Sequence, residues 1–440
     1  MTKILKAYEL PVHGGADCAG GAGRKLFLTV EYLSPDLANL HTELFVKLPW
    51  EPDWHMRGEL SLGLGDGDGL EIATYVYLEH LLPCHVPKYY FGDIDRSSTN
   101  YVLVTERVPY AARGADPEAV PPYALRPACG KYEDFKLAKP EAYYKALFRT
   151  MGRIAAWDKR GRFDEHMEIF DQMKMTQRVA GLAGDAWKPR QRTSEGKYVA
   201  ATPERAAGTR KALGSIIDAG LKFVNEVAPF LCEPAVLDPA FQARFKAQML
   251  DALVFAGLVG KFGANDSKFV GLTHTNLQLD NAYFWTTDDG SLECGLLDWY
   301  MCSRTAMAQV WLGCLSGADG ECLAGHDLDI FRAFSDEHEA FGGPRVPPEE
   351  LLERFTLNFP SYIIGNISKI ETHILSEVPV EKWKGLTSKD DVLDGPWNAR
   401  CFSLMIANGL SYWYHKGDDH PGAVMLRWAA KHDLVVGDGV

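Results

Sequence analysis

The stretch "THTNLQLDN" (Thr273 to Asn281) gathers a His, two Asn and an Asp on one short segment. A further acid, Asp298, closes the next apolar run, "CGLLD". Between them lie "AYFW" and the turn-rich "TTDDGS", which together predict a short hairpin. Such a hairpin holds Asn281 at its entrance and Asp298 at its exit. Amide and carboxylate oxygens brought together in this way are hard donors, suited to Mg²⁺ carried on nucleotide phosphates.

The elements that must position this loop fall into two groups. Residues 1–109 read as β-rich with one helix. "LFLTVEY" (Leu26 to Tyr32) alternates with period two, and "ELFVKL" (Glu43 to Leu48) is a second strand after the turn residues of "LSPDLANLHT". "YYFGDIDRSSTNYVLVTERV" predicts two more strands joined by "DRSSTN". Between the pairs, Leu70, Thr74, Tyr77, Leu78 and Leu81 recur at helical spacing and Pro83 ends the run. Residues 110–440 read as mostly helical after a Pro- and Gly-rich connector. In "PEAYYKALFRTMGRIAAW", Tyr144, Leu147, Phe148, Met151, Ile154 and Ala155 share one face. Thr202 and Pro203 open another helix as cap and first-turn residue. Within a divergent subregion at 160–240, "GDAWKPRQRTSEGKYVAA" reads as an exposed loop, and three or four helices are expected over 303–435.

In this order the features resemble the phosphotransferase branch of the kinase-like superfamily, which includes aminoglycoside phosphotransferases, choline kinases and the ecdysteroid-kinase-like group. The family signature is H-G-D-x-H-x-x-N, then two apolar residues, Asp, and Trp or Phe. It is matched here by "HTNLQLDN" (His274 to Asn281) and "LLDW" (Leu296 to Trp299). The resemblance implies an α+β, bilobal protein-kinase-like fold, with a small β-rich N-lobe over 1–109 and a larger helical C-lobe. Lys47 in "LFVKLP" resembles the strand lysine that holds the α and β phosphates, and Glu71 resembles its ion-pair partner. "VLVTERV", with Glu106 and Val108, resembles the hinge whose backbone binds adenine. "GGADCAGGAGRKLFL", with Gly20, Gly21 and Gly23, resembles the Gly-rich turn over the phosphates. Asn281 and Asp298 are then the Mg²⁺ ligands, His274 braces the loop, and Asn276 takes the catalytic position. The implied activity is a small-molecule kinase using ATP or GTP with Mg²⁺ on a small hydroxylated metabolite. Phosphoryl transfer needs positioning and charge neutralisation more than covalent chemistry, so a fixed lysine, a close-approach turn and two metal-ligating groups suffice in principle.

The chain departs from the family at the decisive place. Family members carry Asp where this sequence has Asn276, and an amide cannot take a proton at pH 7 although its oxygen accepts a hydrogen bond. Thr275 replaces the second-position Gly, Gln278 replaces the loop His, and Gln309 stands where a downstream Asp braces the loop. General-base help is worth about 10²–10⁴-fold, whereas positioning survives its loss. Nucleotide binding with weak or altered turnover is the expectation, and a pseudokinase serving as a nucleotide- or ligand-binding scaffold is the alternative. Asp280 is a weaker substitute base, its direction being set by the loop backbone.

Composition excludes other classes. The 440 residues exceed one compact core, and the net charge of −13 repels nucleic acid and anionic membrane surfaces in the absence of a basic patch. No segment reaches the roughly 20 apolar residues of a membrane span, and the start lacks an apolar signal core. A small-molecule partner in the cytoplasm is therefore expected, and the residues leave the oligomeric state open. The nine Cys include no C-x-x-C and read as buried free thiols. There is no G-x-S-x-G or H-E-x-x-H. "GLGDGDG" lacks the later ligands of a calcium loop. Trp299, Trp311, Trp397, Tyr412, Trp413 and Tyr414 suit a quaternary-ammonium cage or, more plainly, core packing. Asp390, Asp391 and Asp394 read as a solvated acidic loop.

Overall fold

A computed structural model describes residues 2–10, 23–52, 57, 66–110, 121–173, 184–393 and 397–439. Five antiparallel strands open the chain: β1 (Thr2–Glu9), β2 (Arg24–Tyr32), β3 (Glu43–Leu48), β4 (Tyr89–Asp95) and β5 (Asn100–Glu106), in the order β1-β2-β3-β5-β4. The four strands from β2 to β5 follow the period-two runs. β1 was not anticipated; it is an edge strand whose Ile4, Leu5 and Tyr8 stay exposed, so its pattern carries no buried face. Helix α1 (Gly67–Ala73) lies between β3 and β4 and continues through one wide turn over Thr74–Leu78. All seven residues of α1 are buried. Gly67 is required where it stands, because a Cβ there would run into the Tyr300 ring.

The rest is mostly helical. The helices are α2 (Pro140–Lys159), α3 (Asp164–Met173), α4 (Pro203–Lys222), α5 (Pro239–Leu253), α6 (Ala256–Gly263), α7 (Met307–Cys314), α8 (Gly320–Ala340), α9 (Pro348–Ile367), α10 (Val380–Trp383), α11 (Lys389–Leu393), α12 (Trp397–His415) and α13 (Pro421–Lys431). The result is the two-part α+β layout that the resemblance implied. The predicted face of α2 is wholly buried, and Thr202 caps α4 by accepting from the Arg205 amide. More helices fill 307–431 than expected, because α7, α10 and α11 are too short to show a period. One continuous core joins Leu70 and Ile72 of α1 and Leu103 of β5 to Phe148, Trp311, Phe331 and Tyr412 of the helices. Trp299, Trp311, Tyr412 and Trp413 are core residues and form no cage. The side chain of Trp397 lies outside the described residues, as do Asp394 and the side chain of Asp390. Asp391 closes a turn by accepting from the Thr387 and Ser388 amides. The eight described cysteines are free thiols, and no described helix is long and apolar enough to cross a membrane.

The segment expected as an exposed loop is exposed over 190–192 and 194–197 but anchored at Trp187 and at its final strand. Strand β7 (Tyr198–Ala201) pairs in parallel with β12 (Leu434–Val436), and Trp187 is buried. Its ring stacks on Trp428 at 5.4 Å and meets Phe262 edge-on at 5.0 Å, building a second, smaller core. The partners lie far along the chain, so local polarity concealed the burial. Trp187→Ala is expected to cost about 3–5 kcal/mol, read as a lowered midpoint in urea unfolding; a shift no larger than that of an exposed substitution would contradict this packing.

Candidate functional site

Two antiparallel pairs are nested in the lower part. The inner pair is β9 (Ala282–Thr286) with β10 (Leu292–Leu296), the predicted hairpin. The outer pair is β8 (Val270–Thr273) with β11 (Ser303–Ala306). Strand β6 (Arg126–Pro127) joins the free side of β9. This nesting forces the two connecting segments, 274–281 and 297–302, to lie side by side. The Leu297 amide donates to the Asn281 carbonyl at 2.9 Å, and Thr275 donates to the carbonyls of Tyr300 and Met301 at 3.2 and 3.3 Å. Thr275, in place of a Gly, thus ties the two segments together.

His274 is fully buried and bonded at both ring nitrogens. Nε2 lies 2.7 Å from the Leu297 carbonyl and must donate to it; Nδ1 then accepts from the Asn276 amide at 3.4 Å. The ring packs on Trp299 at 4.8 Å. Burial lowers its pKa to about 4, so the imidazole is neutral. With no free face, His274 positions the two segments. Asn281 donates from Nδ2 to the Asn276 carbonyl at 2.6 Å, which turns its Oδ1 to the opposite side.

Lys47 is the meeting point. Its ammonium lies 2.6 Å from Glu71 of α1 and 2.7 Å from Asp298, residues 24 and 251 positions away. Lys47 and Glu71 are buried and Asp298 nearly so. Burial alone would lower the Lys47 pKa, but Asp298 and Glu71 raise it well above the usual lysine range. Burial lifts the Glu71 carboxyl above the ordinary range against the pull of Lys47. Burial would also lift Asp298, yet Lys47 and Lys25 hold it well below that range, so it is a carboxylate at any working pH. Asp298 sits at φ 55°, a left-handed backbone that Asp tolerates better than most residues and that often marks a functional position.

The same sheet face carries a cleft of about 510 Å³ lined by Tyr8, Phe27, Glu43 and Arg107 among others. The register Lys25↔Lys47, Phe27↔Phe45, Thr29↔Glu43 puts this lining in line with Lys47. The Arg107 guanidinium stacks 3.9 Å from the Phe27 ring centre and pairs with Glu43 at 3.2 Å. Glu106 ends β5 opposite Leu44, and its carboxylate accepts from the Lys88 amide. The Val108 amide has no acceptor among the described residues. Gly23 (φ 86°) enters β2, where a Cβ would collide with Tyr101 and the Leu48 carbonyl. Gly20 and Gly21 lie outside the described residues.

Sequence reading missed Lys25, Phe27, Arg107 and Lys131. Lys131 reaches from the connector to Asp280 at 3.2 Å and Gln278 at 3.4 Å. A basic residue in a Pro- and Gly-rich connector carries no local signal; only the fold shows where it lands. Asp280 is thereby engaged by a cation. The described residues hold no cluster of three His, Cys, Asp or Glu fit for a metal.

His274 makes stability depend on pH. With an unfolded pKa of 6.5 and a folded value of about 4, its contribution is whole above pH 6.5 and is lost as pH falls toward 4. The loss between pH 7 and pH 5 is about 2 kcal/mol for this residue. Urea unfolding at the two pH values should show His274→Gln losing that much less than the wild type; equal losses would count against the assigned neutral brace.

No protein-family model matches the chain, and no curated protein matches it in sequence. Among solved structures, the microcompartment-associated aminopropanol kinase aligns at 11% identity over 93% of this chain and 93% of that chain, with a TM-score of 0.39. The spectinomycin phosphotransferase in complex with ADP and spectinomycin aligns at 12% identity over 98% and 94%, TM-score 0.37. The Plasmodium vivax ethanolamine kinase aligns at 10% identity over 89% and 79%, TM-score 0.36. Scores this low transfer no residue role to this chain.

Proposed function

We propose that this chain binds a nucleoside triphosphate between the sheet and the nested hairpins and transfers its γ-phosphoryl group, slowly, to a small hydroxylated molecule. The convergence of Glu71 and Asp298 on the buried Lys47 ammonium carries the reading. Three elements distant in sequence spend buried charge on one point, and buried ions are costly unless paired or put to use. The cleft by Phe27 and Arg107 is of a size for a nucleobase.

Asn281 and Asp298 would hold Mg²⁺: one amide oxygen is freed by the bond to the Asn276 carbonyl, and the carboxylate is fixed in its ionised form. Such an ion supplies charge neutralisation at the transferring phosphoryl group. Lys47, oriented by Glu71, holds phosphate oxygens. In the transfer, a bond forms between the acceptor oxygen and Pγ while the bond from Pγ to the β–γ bridging oxygen breaks. Asn276 accepts a hydrogen bond from the acceptor hydroxyl and aligns it, but cannot take its proton, which leaves to solvent or to phosphate oxygen. That deficit favours a second reading, a nucleotide-binding scaffold without turnover.

Thermal unfolding with and without Mg·ATP tests the binding. Stabilisation is expected, and its absence would remove the nucleotide from the reading. Asn276→Asp should then raise ATP hydrolysis or transfer by about 10²–10⁴-fold; a fall would show a site adapted to the amide. A wild type that binds nucleotide yet forms no product puts the scaffold in place of the enzyme. Asp298→Asn, which the left-handed backbone accommodates, should abolish the Mg²⁺ dependence of binding in either case.

A further inference from the structure

We infer that Lys25 is a second phosphate-binding cation of the cleft, which makes the site select polyphosphate esters over nucleosides. The inference rests on the nucleotide reading above and assigns a role that no motif singled out. Lys25 on β2 stands directly opposite Lys47 on β3. Directly opposed residues of an antiparallel pair project to one face with their Cβ atoms about 4.5–5.5 Å apart, and like charges so placed are destabilising. The next pair on the same face of these strands, Phe27 and Phe45, is apolar. An apolar residue at 25 would extend that pattern, so the lysine breaks it at a cost.

No described carboxylate pairs directly with the Lys25 ammonium, although the fields of Asp298 and Glu71 favour its charge. Lys47 already has two acids, Glu71 and Asp298, within hydrogen-bond distance. Lys131 is engaged by Asp280 and Gln278. The ammonium of Lys25, half-buried, makes no hydrogen bond or ion pair with a described residue, while its carbonyl accepts from the Leu10 amide. Burial and the fields of Lys47 and Lys131 weigh against its charge, with Asp298 and Glu71 the acids that support it. An ammonium with no directly bonded carboxylate, beside Lys47 on the face that carries the base-sized cleft, is placed to take an anion. A di- or triphosphate spanning the Lys25–Lys47 pair supplies it, and more fully as phosphates are added. The charge-assisted bonds it forms are among the strong ones.

Isothermal titration of the full chain with ATP, ADP and adenosine in Mg²⁺ buffer, on wild type, Lys25→Met and Lys25→Arg, tests this. Lys25→Met should lose about tenfold or more in ATP affinity, less for ADP and nothing for adenosine, and Lys25→Arg should keep most of the ATP affinity. The melting temperature of ligand-free Lys25→Met should equal or exceed that of wild type, because a repulsion is removed. Unchanged ATP affinity in Lys25→Met, an equal loss for ATP and adenosine, or a large drop in its ligand-free melting temperature would each overturn the inference. A wild type that takes up neither ATP nor ADP overturns the functional reading and this inference together, whereas equal ATP affinity in wild type and Lys25→Met removes only the role of Lys25.

Discussion

One ammonium group, that of Lys47, ties the site to the fold. It is 1% exposed and would be intolerable without its two carboxylates. Those carboxylates come from a helix and from the exit of a hairpin, so the pairing fixes sheet, helix and hairpin relative to one another. Removing the lysine would leave two buried acids facing each other. The rest of the site is arranged around this constraint: His274 and Thr275 hold the segment that carries Asp298, and Gly67 allows α1 to come close enough for Glu71 to arrive.

The loop that carries Asn276 is held by its backbone. The Asn276 carbonyl accepts from Asn281, and its amide donates to His274. Neither bond involves the Asn276 side chain. The scaffold therefore takes no notice of whether an amide or an acid stands there, and the identity of that one side chain governs proton transfer without governing shape.

What was legible depended on range. The strands β2 to β5, the face of α2, the cap at Thr202 and the hairpin around "TTDDGS" are local patterns, and each folds as its pattern requires. Lys47, Glu71 and Asp298 were legible because they sit at the spacing of a known arrangement, and the structure brings them within hydrogen-bond distance. Lys25 was passed over because its meaning comes from register: only when β2 is laid against β3 does it face Lys47. Trp187 and β7 were misjudged for the same kind of reason, since their partners, Trp428 and β12, lie more than 200 residues on. Lys131 waits on the fold to carry the connector back to Asp280.

The burial of α1 on every side has a mechanical consequence. A helix embedded in a core shared with α2, α8 and α12 cannot swing outward with the sheet as a rigid body without exposing that core. Breathing of the cleft must instead come from the thinly covered side, where β1 forms an edge with exposed apolar residues. The molecule is then built less like a jaw than like a vessel whose one lightly packed wall is the β1 edge.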